Sequence, residues 1–463
     1  MSEVVKALLE KLGSDVVVYG SALHQRPTSY WNTAPTQAKC LLRPRTTAEV
    51  SAALAICHQF NQPVVTQGGL TGCVAGAASN ADEVILSLER MTEIEAIDEA
   101  GNTATVQAGA ILQVVKETLA DKDLLFPLDL GARGSCTLGG NVATNAGGIN
   151  VLRYGMIRNL VLGLEVVLAD GTILSSMNQM LKNNAGYDIK QLFIGSEGTL
   201  GVITRMVLKL FPKPTTCHTA LIALNSFDQV ISLLNRFQRD LAGMLSAYEV
   251  MWGDYFHAVT EPGWHRAPMD RDHPFYVIVE ANGASPQHDG EQFTSVLEKA
   301  FEDEQIIDAV VPKSESERIA LWDIRENFEA ILQPKPVYLY DISLPIKNMP
   351  AYISEVKTRL QQRWPNSHCY VLGHVADGNL HLFIQPAGAI GQEHESSFSR
   401  DCDQDVYDPL QPYGGSVSAE HGIGLEKKAW LKNSRSEAEI NVMRVLKQSL
   451  DPKNLLNLGK VFS

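Results

Sequence analysis

The chain has 463 residues, of which 45% are apolar and 20% charged, with a formal net charge of −14. That is the composition of a globular protein long enough for two or three domains. With no basic stripe to release counterions, it argues against a nucleic-acid partner. Seven cysteines (Cys40, Cys57, Cys73, Cys136, Cys217, Cys369 and Cys402) are scattered without a CxxC pair. They argue against a disulfide framework or a cysteine metal site and fit a reducing compartment.

The first residues, MSEVVKALLEKLG, carry acidic side chains at helical spacing and do not read as a secretory signal; residues 1–34 form an N-terminal helical segment. No apolar run reaches membrane-spanning length. The expected location is the cytoplasm, with peripheral membrane association left open. RPRTTAEVSAALAICHQF opens on a capping box, Thr46 and Glu49, and continues as a helix. PVVTQGG is a strand entering a glycine-rich turn, ATVQAGA a strand, ILQVVKETLADK a helix, and LEVVLADGTIL two strands about Asp170-Gly171. Together they predict one domain over 35–214. FPKPTT, Phe211–Thr216, is the linker candidate. Over 215–413, helices near 227–240, 286–303, 315–332 and 347–363 alternate with strands such as PFYVIVEA and PVYLYDISLP. This pattern predicts an antiparallel sheet with helices on one face, and an α+β protein. The segment 414–463 carries a glycine-rich stretch and a last helix capped by Ser436 and Glu439.

Three glycine-rich segments stand between strands of the first domain. TQGGLTGCVAGA brings Gln67, Gly68, Gly69, Leu70, Thr71, Gly72 and Gly76. LGARGSCTLGGNVATNAGG brings Gly134, Ser135, Thr137, Gly139, Gly140, Asn141, Thr144, Asn145, Gly147 and Gly148. NNAGYDIKQLFIGSEGTLGVIT brings Gly198, Gly201, Val202 and Ile203. None is a dinucleotide fingerprint or a P-loop. Segments so poor in apolar side chains are not core; they allow close backbone approach to a large extended cofactor.

GHVADGNLHLF, Gly373–Phe383, holds two histidines around Asp377-Gly378. A two-residue turn there pairs His374 with His381, with Cβ atoms about 5 Å apart. Two imidazoles so placed can share an ion, or can be ordinary strand histidines. Glu420 and His421 lie in GGSVSAEHGIG. They add a carboxylate and a third imidazole, or form a solvated loop pair. Two histidines and a glutamate suit a divalent metal with an open position.

The motifs GSCTLGGNVATNAGG, RYG, LGLEVVLADG and GYDIKQLFIGSEGTLGVIT resemble the D-2-hydroxyglutarate and D-lactate dehydrogenase branch of the vanillyl-alcohol-oxidase superfamily. The likeness extends over most of the chain. It implies an FAD-binding domain of the PCMH type, an antiparallel α+β substrate domain and a C-terminal segment returning to the flavin. It implies FAD with its pyrophosphate in the Gln67–Gly72 loop. The binding is expected to be non-covalent, since that loop carries Leu70 and no histidine. Asn457, in NLGK, falls at the flavin edge. His374, His381 and Glu420 become metal ligands, for Zn2+ before Mn2+, and His421 the catalytic base. Arg325, in LWDIREN, becomes the carboxylate binder; the alternative for it is a helix-surface charge.

Three positions depart from the hydroxyglutarate enzymes, which carry threonine, lysine and asparagine where this chain has Glu329, Leu339 and Phe383. Those polar groups recognise a distal carboxylate. Their loss predicts an acid with an apolar side chain, of the D-mandelate, D-lactate, D-2-hydroxybutyrate or D-phenyllactate type. The rival expectations are D-2-hydroxyglutarate or D-malate on the same fold, a flavin-free metal hydrolase, and a non-catalytic flavin carrier. Electrons leave to an external acceptor, a quinone, an electron-transfer flavoprotein or a cytochrome, and a homodimer is compatible with the sequence.

Overall fold

The computed structural model describes residues 1–30, 32–333, 335–388 and 390–462. The chain divides into two units, one of residues 1–147, 155–213 and 420–463 and the other of 148–154 and 214–419. The break after Lys213 falls inside FPKPTT. No helix among the described residues is long and apolar enough to cross a membrane.

Among the described residues the first unit holds a two-stranded ribbon, Leu124–Leu125 against Phe211–Pro212, and two larger sheets. In the smaller of these two, Cys40–Leu42, Val84–Ser87 and Val64–Gln67 run parallel, and Val17–Val18 pairs antiparallel at the edge. Parallel strands need a crossover, and the helix Thr47–Gln59 carries the chain from Cys40–Leu42 past Val84–Ser87 to Val64–Gln67. Thr46 caps that helix by accepting the Glu49 N–H. The reciprocal half of the expected capping box is absent, because the Glu49 carboxylate takes the Arg45 N–H instead. The larger sheet is antiparallel, in the order Ile94–Asp98, Thr103–Gln107, Val202–Lys209, Val161–Val167, Ile173–Ser176. At the far end of the chain the helix Glu437–Leu450 has both halves of its capping box, Ser436 and Glu439. Leu456 then bridges in parallel to Val64, so the last residues lie beside the strand that feeds the first glycine loop.

The second unit is built on seven antiparallel strands. Their order is Asp308–Val310, Thr216–Leu224, Phe275–Gly283, Leu245–Trp252, His368–Gly373, Asn379–Gln385, Tyr338–Ser343. Leu245–Trp252 is buried along its whole length and Phe275–Gly283 along most of it. Strands that read as continuous apolar runs are covered on both faces, and helices do lie on both, not on one as expected. On one face Phe227–Asp240 packs down, and the Tyr248 hydroxyl donates to its Val230 carbonyl. On the other, Tyr255, Phe256 and Val259 of helix Gly253–Val259 and Leu321, Trp322 and Ile324 of helix Glu315–Glu326 close a core. Leu221, Met251, Tyr276, Ile278, Leu372 and Phe383 complete it. His381 and Phe383, two residues apart on one strand, stand on that second face.

Candidate active site

Strand register fixes what stands beside His381. It pairs with Asp341 on one neighbour and Leu372 on the other. Two residues on, Phe383 pairs with Leu339 and Tyr370, on the same face because side chains alternate. His374 does not pair with His381, as the two-residue hairpin required. Asp377 stays in a short 3-10 turn, Val375–Asp377, and only Gly378 takes positive φ, +91°. A two-residue turn of the Asp-Gly type needs positive φ at both. The His374 carbonyl accepts from the Asp377 and Asn379 N–H groups, and the longer turn shifts the register. The two imidazoles still meet edge to face, with ring centroids 5.5 Å apart.

Two carboxylates without a role in the sequence reading organise this face. Asp341 is fully buried. Its Oδ1 accepts from Asn379 Nδ2 at 2.9 Å, and its Oδ2 from the Ala419 N–H at 3.1 Å and Ser418 Oγ at 3.2 Å. A carboxylate oxygen of Asp341 and a ring nitrogen of His381 lie within 4.8 Å, as do ring nitrogens of His374 and His381. Glu249, 1% exposed, faces His374 Nδ1 with Oε1 at 2.5 Å and accepts Arg325 Nε on Oε2 at 2.9 Å. Burial alone pushes the Glu249 carboxyl up, but His374 and Arg325 outweigh it and hold it at about 2. Each acid is a lone charge in an apolar run, SAYEVMW and YLYDIS. That pattern is the signal that could have found them, since a buried charge has to be paired.

Arg325 is not a surface charge. It is 7% exposed, and its Nη2 stands 3.5 Å from His374 Nε2. The Tyr255 hydroxyl holds its backbone carbonyl at 3.1 Å. Phe383 is 3% exposed and meets Phe328 at 5.0 Å between ring centroids, with Leu339 against the same core. Glu329 is exposed on the turn Glu329–Leu332. Nitrogen and oxygen donors at these spacings fit a borderline divalent cation. A carboxylate behind His374 is the support such ligands use.

In the first unit the glycine loops meet backbone to backbone. A Cβ on Gly69 would sit 2.2 Å from the Ser135 carbonyl oxygen, and one on Gly68 2.5 Å from Thr137 Oγ1. Gln67 spans its own loop, donating to the Ala77 carbonyl and accepting from Arg26. Leu70 has positive φ, and its carbonyl accepts the Tyr30 N–H. Thr144 and Asn145 serve helix Leu138–Thr144, Thr144 by bonding back to the Gly140 carbonyl and Asn145 as its left-handed cap. Val202 and Ile203 are strand core, with Gly201 pressed against Val166. Gly148 belongs to the second unit.

Thr66 Oγ1, Thr137 Oγ1 and Asn141 Oδ1 are buried with no hydrogen-bond partner among the described residues. Buried polar atoms left open between small-residue loops are what an extended polar cofactor satisfies, so these loops fit FAD. Asn457 is occupied: its Oδ1 accepts the Thr66 N–H, and its Nδ2 donates to the Glu197 carbonyl at 2.5 Å. The Glu197 carboxylate, pushed up by burial, accepts the Ile423 and Gly424 N–H groups just after His421. Glu420 and His421 open this last stretch of the first unit.

Residues 213–461 match the family of FAD linked oxidases, C-terminal domain, and residues 38–176 match the FAD binding domain. The chain is 39% identical to D-2-hydroxyglutarate dehydrogenase of Bos taurus mitochondria, over all of this chain and 84% of that protein. It is 37% identical to D-2-hydroxyglutarate dehydrogenase of Xanthomonas citri pv. viticola, over 90% of this chain and 88% of that one. Among solved structures, p-cresol methylhydroxylase with substrate bound aligns at a TM-score of 0.77. The identity there is 16%, over 99% of this chain and 96% of that one, a likeness of fold. The chain belongs to the FAD-linked oxidases, with an FAD-binding domain of the PCMH type.

Proposed function

We propose that this FAD-dependent oxidoreductase oxidises a D-2-hydroxy acid to the 2-oxo acid, with Arg325 holding the substrate carboxylate. The observation that carries the reading is the buried guanidinium itself. Its Nε is tied to Glu249 and its Nη2 lies beside His374. A guanidinium fixed on one edge offers its remaining donors to a carboxylate as a planar fork. Bound FAD supplies the hydride acceptor. The resemblance adds Glu420 to His374 and His381 as ligands of a divalent cation, Zn2+ before Mn2+, which would lower the pKa of a coordinated hydroxyl. Glu420 follows Ala419, whose N–H is held by Asp341. His421, next in the chain, takes the hydroxyl proton, as an imidazole can near neutral pH. Electrons pass to an external quinone, electron-transfer flavoprotein or cytochrome.

For the substrate side chain, Phe383, Leu339 and Phe328 support an apolar acid of the mandelate, lactate, 2-hydroxybutyrate or phenyllactate type. A distal carboxylate set against such a wall is left unpaired at a cost of kilocalories. The second reading, a D-2-hydroxyglutarate dehydrogenase, fits the names of the relatives and is the better supported of the two. Anaerobic flavin reduction by a panel of D- and L-2-hydroxy acids separates the two. The apolar reading expects the D-enantiomers of apolar acids to reduce the flavin fastest. Preference for D-2-hydroxyglutarate or D-malate establishes the second reading. A colourless protein with hydrolase activity would overturn both.

A further inference from the structure

Glu249 is the one acidic side chain of Leu245–Trp252, a strand buried along its whole length. Neither of its partners comes from that strand. Arg325 reaches it from helix Glu315–Glu326, and His374 from the turn after His368–Gly373. The two carboxylate oxygens are divided between them, Oε1 to His374 and Oε2 to Arg325. An ionised carboxylate only accepts, so the Nδ1 that faces it carries a proton, and Nε2 is the nitrogen through which His374 would ligate a metal. On the other side, tying Nε fixes the roll of the guanidinium plane.

We infer that Glu249 is a positioning residue serving both halves of the substrate site, presenting His374 Nε2 to the metal and the Arg325 fork to the substrate carboxylate. This rests on the reading of His374 as a ligand and Arg325 as the carboxylate binder. It adds a consequence that neither role has alone: one substitution at Glu249 loosens metal and substrate together. Glu249→Gln keeps the shape but has one acceptor for two donors. If its amide NH2 faces His374, it drives the proton to Nε2 and removes the metal lone pair. If it faces Arg325, the guanidinium loses its anchor.

The test uses the full-length holoenzyme, stripped with a chelator and titrated with Zn2+ alone against a fluorescent competitor. Kinetics follow at saturating Zn2+ with the best acid of the panel. Glu249→Gln is expected to weaken Zn2+ binding about 10- to 100-fold and to raise KM about tenfold, while the melting temperature and flavin content show a folded protein. Arg325→Lys is expected to raise KM and leave Zn2+ affinity within about threefold, because that change spares the Glu249–His374 contact. Should Glu249→Gln fail to fold, Glu249→Asp keeps the charge one methylene short of reaching both partners, and the same paired loss is expected. A folded variant at Glu249 that binds Zn2+ and substrate as the wild type does overturns the inference. A wild-type protein that takes up neither Zn2+ nor Mn2+ overturns the metal reading, and the inference with it.

Discussion

The helix Glu315–Glu326 lays two arginines, seven residues apart, against two buried glutamates on adjacent strands of one sheet. At one end Arg318 meets Glu280, whose Oε2 also takes Trp322 Nε1 and Thr219 Oγ1. At the other Arg325 meets Glu249, whose second oxygen goes to His374. The first pair keeps its arginine side chain 26% exposed, and these three bonds to Glu280 end on groups that do not touch His374. The second is deeper, with its arginine at 9%, and ends on an imidazole that faces a second imidazole. The same chemistry thus holds a helix to a sheet at one end and fixes a buried guanidinium beside an imidazole at the other. What differs is the third partner.

Breaking the deep pair has the largest expected effect. Arg325→Met leaves the Glu249 carboxylate buried and half paired, which costs about 3–5 kcal/mol of stability. It also lowers kcat/KM for flavin reduction about a thousandfold, equivalent to roughly 4 kcal/mol. Stopped-flow reduction and thermal melts read both. A charge without a partner gives the reference case. Lys460 is 3% exposed, and its Nζ has no hydrogen-bond partner among the described residues. Burial pushes it down from 10.5 to about 8, against the pull of Glu83 and Glu197. Below pH 8 both folded and unfolded chains carry the proton, and the fold bears the whole penalty. Between about 8 and 10.5 the unfolded chain binds more protons, so stability rises with pH. Lys460→Met should therefore stabilise by about 3 kcal/mol at pH 7, with the advantage vanishing by pH 10.5 in paired melts.

The surface-proximal pair gives a smaller effect of a different kind. Glu280→Gln should cost about 1–3 kcal/mol and leave Zn2+ affinity and KM unchanged, and a change in either would blur the contrast between the two pairs. Smallest is the pocket exchange. Phe383→Asn with Leu339→Lys should shift the kcat/KM ratio toward dicarboxylic acids about tenfold, roughly 1.4 kcal/mol. Unchanged selectivity would count against the apolar wall.

The glycine loops, the helix Phe227–Asp240 and the cap at Ser436 were legible because each depends on residues close in sequence. The histidine pair was legible for a weaker reason. Asp-Gly correctly marked a reversal between two strands, but the reversal was longer than its commonest form. The rings meet although the register places Leu372, not His374, across from His381. Glu249 and Asp341 were passed over because a single acid in an apolar run says that it is paired without saying with what. Their partners lie 125 residues away for His374 and 78 for Ala419. The covering of both sheet faces was written in the unbroken apolar run FYVIV, residues 275–279, whose length alone does not distinguish a two-faced strand from a one-faced one.

The side chain of Asn457 accepts the N–H of Thr66, a bond that joins residues 391 apart. Nothing before Asn457 in the order of synthesis can make it. At about 5–20 residues per second, a newly made first glycine loop waits roughly 20 to 80 s for the segment that lies against its strand. During that interval the entire second unit has emerged and can fold, so the cofactor domain is finished after the second unit although it is started before it.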